Sequence, residues 1–155
     1  MSAVSDAKAL LAAGKLAEAA SALRAALDGP LDYLAQMNAA KLIERLAADL
    51  PEVRLAVLGS TTTAQLLPLL RLHAFKEGLR LELYEGPFGA YQQEILDPAS
   101  GLYAFKPRAV LLYVNHRDAR PGGDPEAEAA RWAGLWSTLR ERPSAARRTA
   151  AASAA

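Results

Sequence analysis

The sequence reads as an α/β protein in which a helical N-terminal segment precedes a parallel sheet with flanking helices. Three observations carry this. Residues 1–50 place their apolar side chains at helical intervals; short apolar runs begin only after Pro51; and those runs alternate with helical stretches, the βαβ order that a parallel sheet requires.

Taken in order, Leu10, Leu11, Leu16, Ala19, Ala20, Leu23 and Leu27 fall at helical spacings, Gly14 separates two short helices, and Gly29-Pro30 ends the second. A third helix is expected over 31–48, with Asp32 as a local cap and Tyr33, Met37, Ala40, Ile43 and Leu46 or Leu50 on one apolar face. Gly14-Lys15-Leu16-Ala17-Glu18-Ala19 resembles half of a tetratricopeptide-type helical pair, yet no copy recurs downstream, so residues 1–50 are a helical preface and not a repeat array. The grammar changes at Pro51. Val53 to Leu58 is a β-branched apolar run closed by Gly59, and a helical pattern follows over 63–77, with Pro68 in its first turns, where a missing N–H is tolerated. Leu79 to Tyr84 alternates as a strand does, Ala90 to Leu96 is a helical stretch, and Arg108 to Val114 is a third apolar run after Lys106-Pro107. Asp118 to Asp124 is turn-rich, and 125–142 is a helix with Trp132, Leu135, Trp136 and Leu139 on one side. The expected division is therefore a preface at 1–50, an α/β domain at 51–143, and a tail at 144–155 that is disordered or a frayed helix, where Ala, Arg, Ser and Thr offer no large apolar anchor.

A chain of 155 residues is one domain's worth and buries a core without metal or disulfides. Lys plus Arg at 18 against Asp plus Glu at 17 leaves a net charge of +1, which gives no bulk field for nucleic acid or an anionic membrane. The absence of Cys removes thiol nucleophiles, zinc-thiolate sites and disulfide frameworks. No stretch approaches the roughly 18 consecutive apolar residues of a spanning helix, and the N-terminus has no secretory pattern. A cytoplasmic soluble protein is the default expectation. The apolar fraction of 52% overstates the core, because much of it is Ala, which buries little area.

Chemistry is expected at the carboxyl ends of the strands, where open parallel sheets gather ligands. Gly59-Ser60-Thr61-Thr62-Thr63 brings hydroxyls and helix-start N–H groups to that edge, fit either to cradle an oxyanion or simply to cap the helix. It lacks the Gly-Lys-Ser/Thr ending of a Walker loop and the repeated glycines of a dinucleotide fingerprint. Tyr84-Glu85-Gly86-Pro87-Phe88-Gly89-Ala90-Tyr91 closes the second strand; Tyr84, Phe88 and Tyr91 suit either a pocket wall or a plug over the core. Glu85 and Glu94 are carboxylates fit for acid or base work. Asn115-His116-Arg117-Asp118 leaves the third strand at the same edge, so His116 is either a base for the Thr61 hydroxyl or a solvent-facing loop residue. His73, in the crossover helix, is given no role. The ligand or anion candidates are thus Gly59, Ser60, Thr61, Thr62, Glu85 and Asn115, and the weak catalytic candidates are Thr61 and His116.

With these residues assembled, 53–118 resembles the N-terminal domain of FkbH-like proteins, of the haloacid-dehalogenase-like (HAD) IIIC phosphatase/glyceryl-transferase family. The likeness rests on Val57-Leu58-Gly59-Ser60-Thr61-Thr62, on the block Leu83-Tyr84-Glu85-Gly86-Pro87-Phe88-Gly89-Ala90-Tyr91-Gln92-Gln93-Glu94-Ile95-Leu96-Asp97-Pro98, and on Ser100-Gly101-Leu102-Tyr103-Ala104-Phe105-Lys106-Pro107 and Val110-Leu111-Leu112. The Gly-Lys-Leu-Ala-Glu-Ala helices and Arg131-Trp132-Ala133-Gly134-Leu135-Trp136 also fit. The resemblance implies an SGNH/flavodoxin-like sheet in front of a phosphatase domain, and a role in loading a glyceryl unit from a phosphorylated glycerate onto an acyl carrier protein for polyketide extender units. That chemistry, with its magnesium, belongs to the phosphatase domain, whose Asp-x-Asp motif has no counterpart here, so no cofactor is expected in this chain. Where an SGNH hydrolase carries Gly-Asp-Ser, this sequence has Gly59-Ser60-Thr61, and no Asp-x-x-His follows.

The family would continue from the Trp132/Trp136 helix into another strand, which the Ala-rich end does not supply. An incomplete sheet is expected, from a truncated, frame-shifted or excised product. With strand order 2-1-3, the strand at 110–114 then carries a bare apolar edge, a surface for self-association. Two readings from different classes follow: a non-catalytic scaffold that docks an acyl carrier protein or a complementary HAD domain, and a small hydrolase or acyl-transfer enzyme using Thr61 and His116. Anion binding at Ser60 to Thr62 is a third.

Overall fold

The computed structural model describes residues 3–115, 118 and 123–152. In chain order its elements are α1 (Ala3–Ala12), α2 (Leu16–Leu27), α3 (Tyr33–Ala40), α4 (Ile43–Leu46), β1 (Glu52–Gly59), α5 (Leu66–Lys76), β2 (Arg80–Glu85), α6 (Tyr91–Leu96), α7 (Gly101–Phe105), β3 (Ala109–Tyr113) and α8 (Pro125–Ala152). The strands form a three-stranded parallel sheet in the order β2-β1-β3, the 2-1-3 order expected. The strand with the most buried residues, β1, is therefore central. Ala56, Val57 and Leu58 have no exposed surface, as a strand covered on both faces requires. β1 and β3 run parallel from Leu55 opposite Ala109 to Gly59 opposite Tyr113.

Packing groups the residues differently from a boundary at residue 51. One compact unit takes the chain through Val53 together with Ala64–Glu82; the other takes Arg54–Thr63 and the chain from Leu83 onward. The physical reason in the first unit is α5. Its Leu72 and Phe75 are fully buried in one cluster with Leu11, Leu23, Ala39 and Ile43 of the N-terminal helices, each such side chain contributing about 2 kcal/mol. Arg24 of α2 lies over the Phe75 ring at 4.7 Å and donates to the Phe75 carbonyl. Lys76 donates to the Leu27 carbonyl at 3.2 Å and pairs with Asp28 at 2.9 Å, placing a cation at the C-terminus of α2.

Local signals held well in this unit. Asp32 caps α3, its Oδ1 accepting from the Ala35 N–H at 2.7 Å. Gly14, at φ +77°, ends α1 in the left-handed region, and the Lys15 N–H returns to the Leu10 carbonyl at 3.0 Å, a Schellman closure. The single helix expected over 31–48 is instead two, α3 and α4, separated by a tight turn in which the Leu42 N–H donates to the Ala39 carbonyl. With that break Leu42 and Leu50 pack against the core as well as Ile43 and Leu46. Tyr33, expected on the apolar face, is half exposed at the outer end of α3.

In the second unit, α6, α7 and α8 cover the sheet through Ala56, Leu58, Ile95, Leu102, Leu135 and Leu139. The sequence did not announce α7. Its last turn closes on Lys106, a non-glycine residue at φ +53°, directly before Pro107. The side chains expected together on α8 separate: Leu135 and Leu139 are buried, Trp132 stacks on Tyr91 at 5.9 Å, and Trp136 is exposed. At 3.6 residues per turn, Trp136 lies about 80° from the centre of the Leu135–Leu139 stripe, beyond the reach of the core. The α8 backbone runs through Ala152, in keeping with the helix propensity of its alanines.

Gly101, the first residue of α7, is a packing requirement. A Cβ there would stand 2.2 Å from the Tyr84 hydroxyl and 2.7 Å from its Cζ. Replacing Gly by Ala in a helix ordinarily gains up to about 1 kcal/mol, but displacing a ring fixed on both sides costs about 1–3 kcal/mol. Gly101→Ala is therefore expected to lower stability, measured as a lower midpoint in urea at unchanged m-value; a higher midpoint would refute the packing account.

Candidate functional site

At its carboxyl end β1 finishes on Gly59, which has no room for a side chain: a Cβ would meet Thr63 Cγ2 and the Tyr113 carbonyl, each at 3.1 Å. The Ser60 N–H donates to the Tyr113 carbonyl at 3.2 Å, and Ser60 Oγ accepts from the Asn115 N–H at 3.1 Å. Ser60 and Asn115 thus tie the ends of β1 and β3 together. On the other side of β1 the chain leaves β2 at Glu85, and the Gly86 N–H donates to the Val57 carbonyl at 2.9 Å. That approach needs Gly86, whose Cβ would fall 2.5 Å from Cδ2 of the fully buried Leu58. The Gly89 N–H returns to the Gly59 carbonyl at 3.1 Å.

The two loops enclose a pocket of about 350 Å³ lined by Gly59, Thr61, Thr62, Thr63, Glu85, Gly86 and Phe88. Thr63 is buried and its hydroxyl donates to Glu85 Oε1. The helical pattern expected from residue 63 accordingly starts later, at Leu66. Gln65 is its N-cap, with no side-chain cap bond, so none of the hydroxyls from Ser60 to Thr63 caps α5.

Gly59, Thr61, Thr62 and Glu85 are thus brought to one cavity, whereas Ser60 and Asn115 meet each other instead. His116 lies outside the described residues, and His73 is exposed on α5. The aromatic loop divides between the two readings offered for it. Phe88 stands exposed at the pocket rim; Tyr91 is buried against Trp132; and Tyr84 stacks on Phe105 at 5.6 Å. Glu94 is occupied structurally, its Oε2 accepting from the Tyr84 hydroxyl and the Leu102 N–H, each at 2.9 Å. Sequence reasoning read Thr63 as a helix start and missed its bond to Glu85, because three consecutive threonines carry nothing that marks which one turns inward. The 118 turn is held from α8: Arg131 donates to the Asp118 carbonyl at 2.8 Å, and hydrogen bonds to Glu128 push its already high pKa further up. Among the described residues no three His, Cys, Asp or Glu side chains gather as a metal-ligand group, and no helix is long and apolar enough to cross a membrane.

Tyr84 gives the loop a measurable handle. Burial, reinforced by the hydrogen bond to Glu94 and by its charge, pushes the Tyr84 hydroxyl up to about 12. The fold therefore favours the neutral phenol, a stabilisation that is complete below pH of about 10, where free tyrosine ionises, and is lost as pH rises through the folded value. The urea midpoint is expected to fall across that window, and less steeply in Tyr84→Phe. An unchanged slope in the variant would show that Tyr84 is not the group responsible.

Comparison with known proteins agrees with this geometry. Residues 54–119 match the family model described as FkbH, N-terminal domain. A solved structure of the N-terminal part of the protein BF1531 from Bacteroides fragilis, described as containing a phosphatase domain complexed with Mg, is similar with a TM-score of 0.62 and 18% identity. The likeness covers 73% of this chain and only 31% of that one, and at such identity it speaks for the fold alone. Among curated proteins none matches. The matched segment begins in β1, contains both loops of the pocket and runs past β3 to residue 119, so the pocket lies within the stretch that is similar to an FkbH N-terminal domain.

Proposed function

We propose that the chain serves an FkbH-like phosphatase/glyceryl transferase as a non-catalytic scaffold, docking the acyl carrier protein or the HAD domain that performs the glyceryl loading. The family match over 54–119 carries this reading. It is supported by the state of the edge hydroxyls: Ser60 holds the β3 end and Thr63 holds Glu85, so both serve the architecture. In this reading the protein works in the cytoplasm, and magnesium acts in the phosphatase domain. The full chain is expected to bind a holo acyl carrier protein or an FkbH-type HAD domain saturably in calorimetry, and to show no Thr61-dependent turnover of acyl esters. Ester hydrolysis abolished by Thr61→Ala would instead establish the hydrolase reading that pairs Thr61 with His116.

The position of β3 supports a second contact. Among the described residues it is an edge strand, and its Tyr113 is 47% exposed. An unpaired strand edge offers a row of backbone donors and acceptors to another chain, so self-association through residues 110–114 is expected. Light scattering should report dimers that dissociate on dilution and are weakened by Tyr113→Lys; a monomer at every concentration would remove this contact.

A further inference from the structure

We infer that the Glu85 pocket receives the hydrogen-bond-donating end of a small ligand, a hydroxyl or an ammonium group, and rejects phosphate and carboxylate groups. This rests on the pocket's own donor and acceptor balance and not on the family reading. Glu85 is acceptor-only when ionised, and the Thr63 hydroxyl satisfies one of its two oxygens. Glu85 is exposed, so its other oxygen is open to a donor brought by a ligand. An anion in the same cavity would meet a like charge at hydrogen-bonding range, and among the described residues no Lys or Arg belongs to the lining to offset it.

The backbone points the same way. An oxyanion site needs amide N–H groups aimed into the cavity, and of the loop amides those of Ser60, Gly86 and Gly89 are bonded to the carbonyls of Tyr113, Val57 and Gly59, which leaves any such cradle to the stretch 61–63 alone. The hydroxyls of Thr61 and Thr62 remain as lining groups, and a hydroxyl donates or accepts as its partner requires. Phe88, 74% exposed at the rim, offers a ring to the apolar side of a polyol or to the face of a cation. The arrangement of carboxylate, hydroxyls and exposed ring suits a neutral polyol or an amine.

The test is an amide-resolved NMR titration of the full chain with three probes at matched ionic strength: D-ribose, ethylammonium chloride and sodium phosphate. Saturable shifts at Thr61, Thr62 and Gly86 are expected with ribose or ethylammonium and not with phosphate. Glu85→Gln keeps a carbonyl for Thr63. It is expected to weaken an ammonium ligand about tenfold or more, since a charge-assisted bond is lost, and a hydroxyl ligand only a few-fold, which separates the two sources. Thr62→Val, at an exposed position, leaves the Thr63–Glu85 bond in place and is expected to weaken either ligand about threefold. Saturable phosphate binding, no shift with either donor probe, or affinity unchanged in both variants would overturn the assignment.

Discussion

Everything in the second unit depends on how closely the chain approaches β1. Ala56 and Leu58 are sealed from solvent, and the backbone of β1 is the register against which both neighbouring loops are set. β3 aligns along it up to Gly59, and the loop after β2 is pinned to it by the Gly86 and Gly89 amides. Each approach is possible only because a side chain is missing: at Gly59, where Thr63 and the Tyr113 carbonyl close in, and at Gly86, where Leu58 does. The pocket is thus a consequence of backbone proximity, with glycine, threonine, glutamate and phenylalanine in its lining.

A second layer of constraint fixes the stretch after that loop. Glu94 takes two hydrogen bonds, from the Tyr84 hydroxyl at the end of β2 and from the Leu102 amide at the start of α7, while Ser100 donates to the Glu94 carbonyl. One carboxylate therefore joins β2, α6 and α7. Buried polar groups satisfied in this way hold a unique arrangement, because any shift leaves a donor without its acceptor. Tyr103 adds a bond to the Ile95 carbonyl at 2.6 Å, and Arg142 of α8 reaches the Leu96 carbonyl at 2.8 Å. The end of α6 is held from two directions. A rigid loop on one side of the pocket and a strand tie on the other leave Thr61, Thr62 and Phe88 as the groups presented to a ligand.

This division of labour alters what the edge can do chemically. Hydroxyls at the carboxyl end of a parallel sheet suggest nucleophiles or an anion cradle, and both ideas assume that the groups are free. Here Ser60 and Thr63 serve the architecture, while Thr61 and Thr62 line the cavity beside Glu85. Structural ties and cavity lining are thus divided between neighbouring hydroxyls of one turn.

The sequence by itself determined the class, the order of the three strands along the chain, the Asp32 cap, the glycine at the end of α1, and the family block over the pocket loops, because each is written in neighbouring residues or in a helical or strand period. Tertiary structure alone decided that α5 packs with the N-terminal helices, that Trp136 faces outward while Trp132 stacks on Tyr91, and that Phe88 rather than Tyr84 or Tyr91 borders the cavity. It also decided that Thr63, among its three neighbouring hydroxyls, turns inward to Glu85, a partner 22 residues away. Such pairings depend on which strands lie side by side and how closely, a distance that no local pattern of residue types encodes.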